Sequence, residues 1–200
     1  MQLPLTDVQQ RLAQHRPQRC WWRPFGRQSA VALILREAES GLEVLMIRRA
    51  ERAGDPWSGQ MGFPGGRRER HDAHLLAVAC RETREEVGVD LQRQARVLAP
   101  LSVLRARPWR WRQRPMTVSP FVFATAESLA IEANYEVAEV LWVPLAFIAD
   151  PANRQWFDFQ RQGIWYRQLP CYEWRGQRIW GMSLRMLDEL VAVLATKSLP

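Results

Sequence analysis

The chain has 200 residues and a mass of 23.3 kDa, room for one domain with a substantial core, and its 47% hydrophobic and 24% charged residues are ordinary for a globular protein. No apolar run approaches the length of a membrane span, and the opening MQLPLTDVQQRLAQHRPQR lacks the unbroken apolar segment of a secretory leader, so a cytoplasmic protein without membrane contact is expected. Twenty-eight Lys and Arg against twenty-one Asp and Glu leave a net charge of +7, which favours anionic partners: nucleotides, phosphorylated cofactors or nucleic acid.

Residues 5–15 carry Leu5, Val8 and Leu12 at helical spacing after Pro4, which predicts an amphipathic helix packed on the domain. Residues 16–27, rich in Arg, Pro and Trp, read as a connection. SAVALIL at 29–35 and EVLMI at 43–47 predict two strands joined by a turn at Glu39-Ser40-Gly41. The stretch from 48 to 66, RRAERAGDPWSGQMGFPGG, is too rich in Gly and Pro for a regular element, and a loop of that length beside a site is usually functional.

Residues 73–87 predict a helix with Asp72 as its N-cap and Gly88 as the left-handed residue that ends it. Glu82, Glu85 and Glu86 then stand at i, i+3 and i+4, on one face, with Leu76, Ala79, Cys80, Thr83 and Val87 on the opposite, packing stripe. Two carboxylates about 6 Å apart repel by roughly 3 kcal/mol at an effective dielectric near 20, so a partly buried cluster wants a cation. On a solvated helix the cost is only about 0.2–0.5 kcal/mol, and Arg81 and Arg84 could neutralise it, so charge alone leaves a metal site and a solvated face both open.

Strands are predicted at 97–104 and 118–124. Between them lies RARPWRWRQR at 105–114, which reads as a flap stacking a base on Trp109 or Trp111 with phosphates on Arg110 or Arg112, as a single-strand nucleic-acid surface, or as a solvated hairpin. A strand at 135–144, a short helix at 145–149, a hairpin over 156–174 turning near Gln162-Gly163, and a helix at 183–195 with Leu184, Leu187, Leu190, Val191 and Leu194 on its core face complete the chain. Ten tryptophans are expected to wall the core or a pocket, since their area is costly to expose. Cys20, Cys80 and Cys171 form no CxxC pair, which argues against zinc. No GxGxxG, Gly-Lys-Ser/Thr or GxSxG motif occurs, so neither a dinucleotide fold, a P-loop nor a serine-hydrolase elbow is indicated.

Arg81-Glu82-x-x-Glu85-Glu86-x-Gly88 followed by Val89, with Gly65-Gly66 upstream and an acidic residue between, resembles the signature of the Nudix hydrolases. The resemblance implies an α/β fold, a Nudix-type α/β/α sandwich with a mixed central sheet, spanning 29–196, with 1–28 as an N-terminal helix and connecting segment. It implies Mg2+ or Mn2+ held by Glu82, Glu85, Glu86 and the Gly65 carbonyl, with Arg81 orienting the glutamates. Glu85 and Glu86 would be catalytic, and Glu136 or Glu139, by pattern Glu136, a further ligand or general base. The spacing departs by one residue: aligned from Gly66, Asp72 takes the first acidic position and Arg81 falls one place late; aligned from Arg81, Ala73 takes it.

Gly59-x-x-x-Phe63-Pro64-Gly65-Gly66, with Arg48, Arg49 and Arg52 upstream, resembles the extension that marks coenzyme A diphosphatases, although Asp55 stands where that extension has its arginine. Arg48, Arg49, Arg52, Gln60 and Phe63, with Trp109, Arg110 and Arg112, are therefore the candidate substrate-binding residues. The implied reaction is hydrolysis of a nucleoside diphosphate linked to another group, with coenzyme A or its thioesters giving adenosine 3′,5′-bisphosphate and phosphopantetheine. Another dinucleotide, ADP-ribose or a nucleotide sugar, capped RNA, and a non-catalytic nucleotide- or RNA-binding module stand as alternatives. A small-molecule nucleotide is the expected partner ahead of nucleic acid, and a homodimer is compatible with this reading.

Overall fold

Two strands that are continuous apolar runs carry the architecture. In the computed structural model, which describes residues 3–18, 26–54, 57–106, 115–126, 128–161 and 163–196, β1 (Arg27–Ala38) and β2 (Gly41–Arg49) form a hairpin that turns at Glu39-Ser40 and pairs Ala38 with Gly41 and Leu35 with Val44. Successive strand side chains point to opposite faces. Ala30, Ala32, Ile34, Leu45 and Ile47 therefore supply one core, and Leu33, Leu35, Leu42, Val44 and Met46 supply another behind the sheet.

Before Leu35 the two strands part company, and the gap is filled from the glycine-rich loop. Met61–Gly62 (β3) pairs with Ile47 and Arg48 of β2, while Gly65–Arg67 (β4) pairs with Val31, Ala30 and Ser29 of β1. The far edge of β1 runs parallel to β7 (Met116–Thr125) from Arg27 to Arg36. β7 also carries β5 (Arg96–Pro100) and β6 (Leu104–Ala106), and β2 carries β8 (Val137–Pro144), all antiparallel. The result is a mixed eight-stranded sheet. A separate antiparallel sheet, ordered β11-β10-β9, comprises β9 (Gln155–Arg161), β10 (Ile164–Trp174) and β11 (Gln177–Trp180).

One helix, α2 (Leu75–Val87), covers the Ala30–Ile34 face of the large sheet; α1 (Leu5–Gln14), α4 (Leu145–Ala149) and α5 (Gly181–Ala195) contribute to the core on the other. A short α3 (Leu91–Gln94), capped by the Asp90 carboxylate, follows α2. This is the expected α/β/α sandwich. Val8 and Leu12 of α1 are fully buried, and Arg11 donates to the Leu194 carbonyl, so the N-terminal helix is docked against α5. No helix among the described residues is long and apolar enough to cross a membrane.

Several expectations are corrected in detail. The strand expected at 97–104 is two strands, because the pairing of β5 with β7 slips between Val97 and Ala99 and the chain leaves the sheet after Pro100. β11 was not expected: it is only four residues long and pairs back on the end of β10 across a two-residue turn at Arg175-Gly176. The helix stripe is Leu75, Val78, Ala79, Thr83 and Val87, with Leu76 and Cys80 only half-buried, and α5 buries Met186 in preference to Val191. Nor do the described tryptophans fill the core. Aliphatic side chains do that, Trp142 and Trp174 close its margins, and Trp156 and Trp165 of the small sheet stand 59% and 51% exposed. Trp142 is capped by the Arg36 guanidinium, 3.9 Å above its ring, which is itself paired with Glu43 at 2.7 Å.

Phe123, fully buried under α2, is the largest side chain of that core. Phe123→Ala is expected to cost about 3–5 kcal/mol in urea unfolding; a loss below about 1 kcal/mol would mean that α2 does not seal the sheet.

Candidate active site

The helix that carries the glutamates is fixed at both ends. The His74 ring accepts a hydrogen bond from the Ala77 N–H at 3.1 Å, and Gly88 ends the helix at φ 75°. Asp72 is therefore not the N-cap expected of it. It is 5% exposed, accepts from the Glu69 N–H at 2.7 Å, and takes Nε and Nη2 of Arg81 on its two oxygens at 3.1 Å each. The start of the helix lies two residues later than expected because Asp72 is turned inward to bind Arg81. The arginine pair holds the Asp72 carboxyl below the usual carboxylate range, and Asp72 in turn helps to raise the Arg81 guanidinium.

Arg81, so anchored, reaches both neighbouring glutamates. Nη2 lies 3.0 Å from Glu82 and from the Arg67 carbonyl, and Nη1 lies 3.0 Å from Glu85 one helical turn on. Arg81, expected to orient the glutamates, thus contacts two of the three. The third glutamate is held differently. Glu86 is 3% exposed and accepts from the Gly65 N–H at 2.8 Å. Burial pushes its carboxyl up to about 7, the Gly65 N–H and the charge of Arg49 pull it down, and the negative charges of Glu82 and Glu136 raise it further. Burial also raises Glu82, against the pull of Arg81.

Such close approach needs glycine. A methyl group on Gly66 would overlap the Glu82 carboxylate, and one on Gly65 would overlap the Ala30 carbonyl and the Val31 backbone. The wedge of β4 between β1 and α2 requires Gly65, where a Cβ would meet backbone, and the position of the Glu82 carboxylate requires Gly66.

Opposite the glutamates, residues 134–136 close a cleft of about 480 Å³ lined also by Glu69, Arg81, Glu82, Glu85 and Glu86. Glu136, expected as a further ligand or base, is in it. Its carboxylate pairs with Arg52 at 3.1 Å, and the Arg52 guanidinium lies 4.9 Å from the centre of the Tyr135 ring. The Ala50 N–H donates to the Glu136 carbonyl at 2.8 Å, which ties the start of the glycine-rich loop to the same segment.

The donor set suits a hard divalent cation: oxygen atoms only, crowded, with one buried carboxylate whose proton affinity is raised by burial and by the negative charges beside it. It is not a closed cage. Arg81 engages Glu82 and Glu85, and among the described residues no three acidic, histidine or cysteine side chains converge on one point. A cation that keeps several of its waters needs few protein ligands, so the two observations are compatible.

The other candidates separate. Arg49 donates its N–H to the Gln60 carbonyl at 3.1 Å, and its charge reaches Glu86. Arg48 pairs with Glu139 at 3.3 Å, and Glu139 also accepts from Gln177, so this pair bridges β2, β8 and β11 and does not line the cleft. Phe63, expected at the substrate, is 5% exposed and belongs to the α5-side core, where the turn between β3 and β4 directs it. Trp109, Arg110, Arg112 and Asp55 lie outside the described residues. Asn134 and Tyr135 were missed: Asn ahead of a strand signals only a turn, and their neighbours in the cleft are far away in sequence.

Two outcomes follow. A carboxyl whose folded value is raised contributes stability that is full below its ordinary value near 4.5 and is lost as pH rises through about 7. In chelator, the free energy of unfolding in urea should fall between pH 5 and pH 8, by an amount on the order of 3 kcal/mol from this group, and Glu86→Gln should flatten that fall. Equal slopes in the two proteins would show that Glu86 is not buried in its charged form. Gly66→Ala should leave the fold intact by circular dichroism and displace Glu82, lowering turnover at least tenfold.

The comparisons with known proteins agree with this geometry. The model of the NUDIX domain matches residues 26–161. The uncharacterized Nudix hydrolase NudL of Citrobacter koseri is 30% identical over 200 residues, covering 98% of this chain and 97% of that protein. An uncharacterized Schizosaccharomyces pombe protein is 38% identical over 111 residues, 54% of this chain, which spans only 33% of that relative's length. Among solved structures, a Nudix hydrolase from Alicyclobacillus acidocaldarius superposes with a TM-score of 0.52 at 18% identity, covering 83% of this chain and 91% of that one, a likeness of fold. With its domain model running from β1 to β9 and the glutamate helix at its centre, the chain belongs to the Nudix family and is a Nudix hydrolase of nucleoside-diphosphate-linked substrates.

Proposed function

We propose that this hydrolase cleaves coenzyme A or its thioesters, and that Glu82, Glu85, Glu86 and the Gly65 carbonyl hold the divalent cation, Mg2+ or Mn2+, that Nudix hydrolases generally use. The observation that carries the substrate reading is Arg52. It belongs to the loop that resembles the coenzyme A diphosphatase extension, and it pairs at 3.1 Å with Glu136, which lines the cleft that contains the glutamates. The +7 charge of the chain favours a substrate with an additional phosphate on its ribose.

A cation bound here supplies charge neutralisation to the diphosphate and acidity to a water. The chain's own residues do the rest. Arg81, fixed by Asp72, sets the positions of Glu82 and Glu85. Glu136, facing them across the cleft, takes the proton of the attacking water. Arg52 exchanges its pairing with Glu136 for a phosphate oxygen. The water oxygen bonds to one phosphorus, the bond from that phosphorus to the bridging oxygen breaks, and the second phosphate leaves with that oxygen. Catalysis in this scheme is positioning and charge stabilisation.

The test is hydrolysis of coenzyme A, ADP-ribose, NADH, diadenosine polyphosphates and nucleoside triphosphates with Mg2+ or Mn2+. Coenzyme A should give the highest kcat/KM, chelator should abolish turnover, and Glu85→Gln and Glu86→Gln should each lower kcat by about 10²-fold or more. A higher kcat/KM for ADP-ribose or another dinucleotide would overturn the coenzyme A reading and leave the diphosphatase. Chelator-insensitive binding of RNA that weakens steeply with salt, without cleavage, would favour the nucleic-acid module.

A further inference from the structure

The last carbonyls of a helix have no partner within it, and in α2 those of Glu85, Glu86 and Val87 lie beside the carboxylates of the cleft. They are taken up by the segment that leads into β8. The Asn134 side-chain amide donates to the Glu85 carbonyl at 2.8 Å, the Asn134 N–H donates to the Glu86 carbonyl at 2.9 Å, and the Glu132 N–H donates to the Val87 carbonyl at 3.0 Å. The other end of the same amide faces the opposite way: Asn134 Oδ1 accepts from the Glu136 N–H at 2.8 Å. One side chain therefore spans from the backbone of the glutamate helix to the backbone of Glu136.

We infer that Asn134 is a positioning residue that sets how far the Glu136 carboxylate stands from Glu82, Glu85 and Glu86. The inference rests on the role of Glu136 in the proposed reaction. An amide is required because the two ends need opposite chemistry, a donor toward the Glu85 carbonyl and an acceptor toward the Glu136 N–H. The segment stays attached without it. The backbone bonds to Glu86 and Val87, and that from the Val137 N–H to the Asn134 carbonyl, do not involve the side chain, so removing the amide should loosen Glu136 without detaching the loop.

The experiment is a double-mutant cycle on the best substrate of the panel, with kcat, KM and melting temperature measured for each protein. Asn134→Ala should lower kcat by about 10-fold to 100-fold with KM changed less than about twofold, the signature of a displaced reacting group. The double variant Asn134→Ala, Glu136→Gln should be no slower than Glu136→Gln alone. Asn134→Asp, which keeps the acceptor toward Glu136 and loses the donor toward Glu85, should fail to restore kcat. Multiplicative losses in the double variant, or full activity in Asn134→Asp, would overturn the tether while leaving the role of Glu136 standing. Wild-type kcat in Glu136→Gln would overturn that role and the inference with it.

Discussion

A carboxylate buried against a backbone N–H is the constraint on which this site depends. Glu86 is removed from water and has the Gly65 N–H at 2.8 Å. Desolvating a carboxylate costs several kcal/mol, and a hydrogen bond to a charged group returns about 1.5–3 kcal/mol. The residual deficit appears as a carboxyl pushed up to about 7. Helix packing and not charge pairing keeps the group there, since α2 buries Val78, Ala79, Thr83 and Val87 on the side of the helix that brings Glu86 in with them. Thr83 is tolerated in that interface because its hydroxyl donates to the Ala79 carbonyl at 2.7 Å.

From that burial the neighbouring features follow. A helix can bring carboxylates onto a strand only if the strand has no side chains in the way, so β4 begins Gly65-Gly66. β4 can reach β1 only because β1 and β2 diverge, leaving Ser29–Val31 free to pair with it. Arg81 must serve two glutamates without collapsing into either, and Asp72 restrains it from behind with two bonds of 3.1 Å. Asp72 thus bears on the glutamates through the arginine, although it does not cap α2.

What was legible in the sequence was local. The i, i+3, i+4 placement of Glu82, Glu85 and Glu86, the left-handed Gly88, and the two apolar strand runs with their Glu39-Ser40-Gly41 turn depend on patterns and turn chemistry within a few residues. What escaped depends on contacts across the chain. Phe63 was assigned to substrate by its place in a motif, but the pairing of β3 with β2 sends it to the core. Asp72 looked like a cap until Arg81, nine residues on, was placed beside it. The amide of Asn134 binds a carbonyl 49 residues away, and no spacing rule encodes that.

The two arginines paired with carboxylates of the cleft differ in a way that bears on the proposed reaction. Arg81 has its guanidinium shared among Asp72, Glu82, Glu85 and the Arg67 carbonyl, and its side chain is 17% exposed. Removing any one partner leaves the others, so a substrate cannot readily draw it away. Arg52 is 40% exposed and pairs with a carboxylate that is itself 31% exposed. Pairs of that kind contribute about 0–1 kcal/mol, less than a charge-assisted contact to phosphate returns. In the proposed reaction an incoming diphosphate would therefore take Arg52 at little cost and release Glu136 from its counter-ion. A fixed arginine that bridges Glu82 and Glu85 is thus set beside an exchangeable one, whose departure in the proposed reaction would leave Glu136 with an open oxygen for the attacking water.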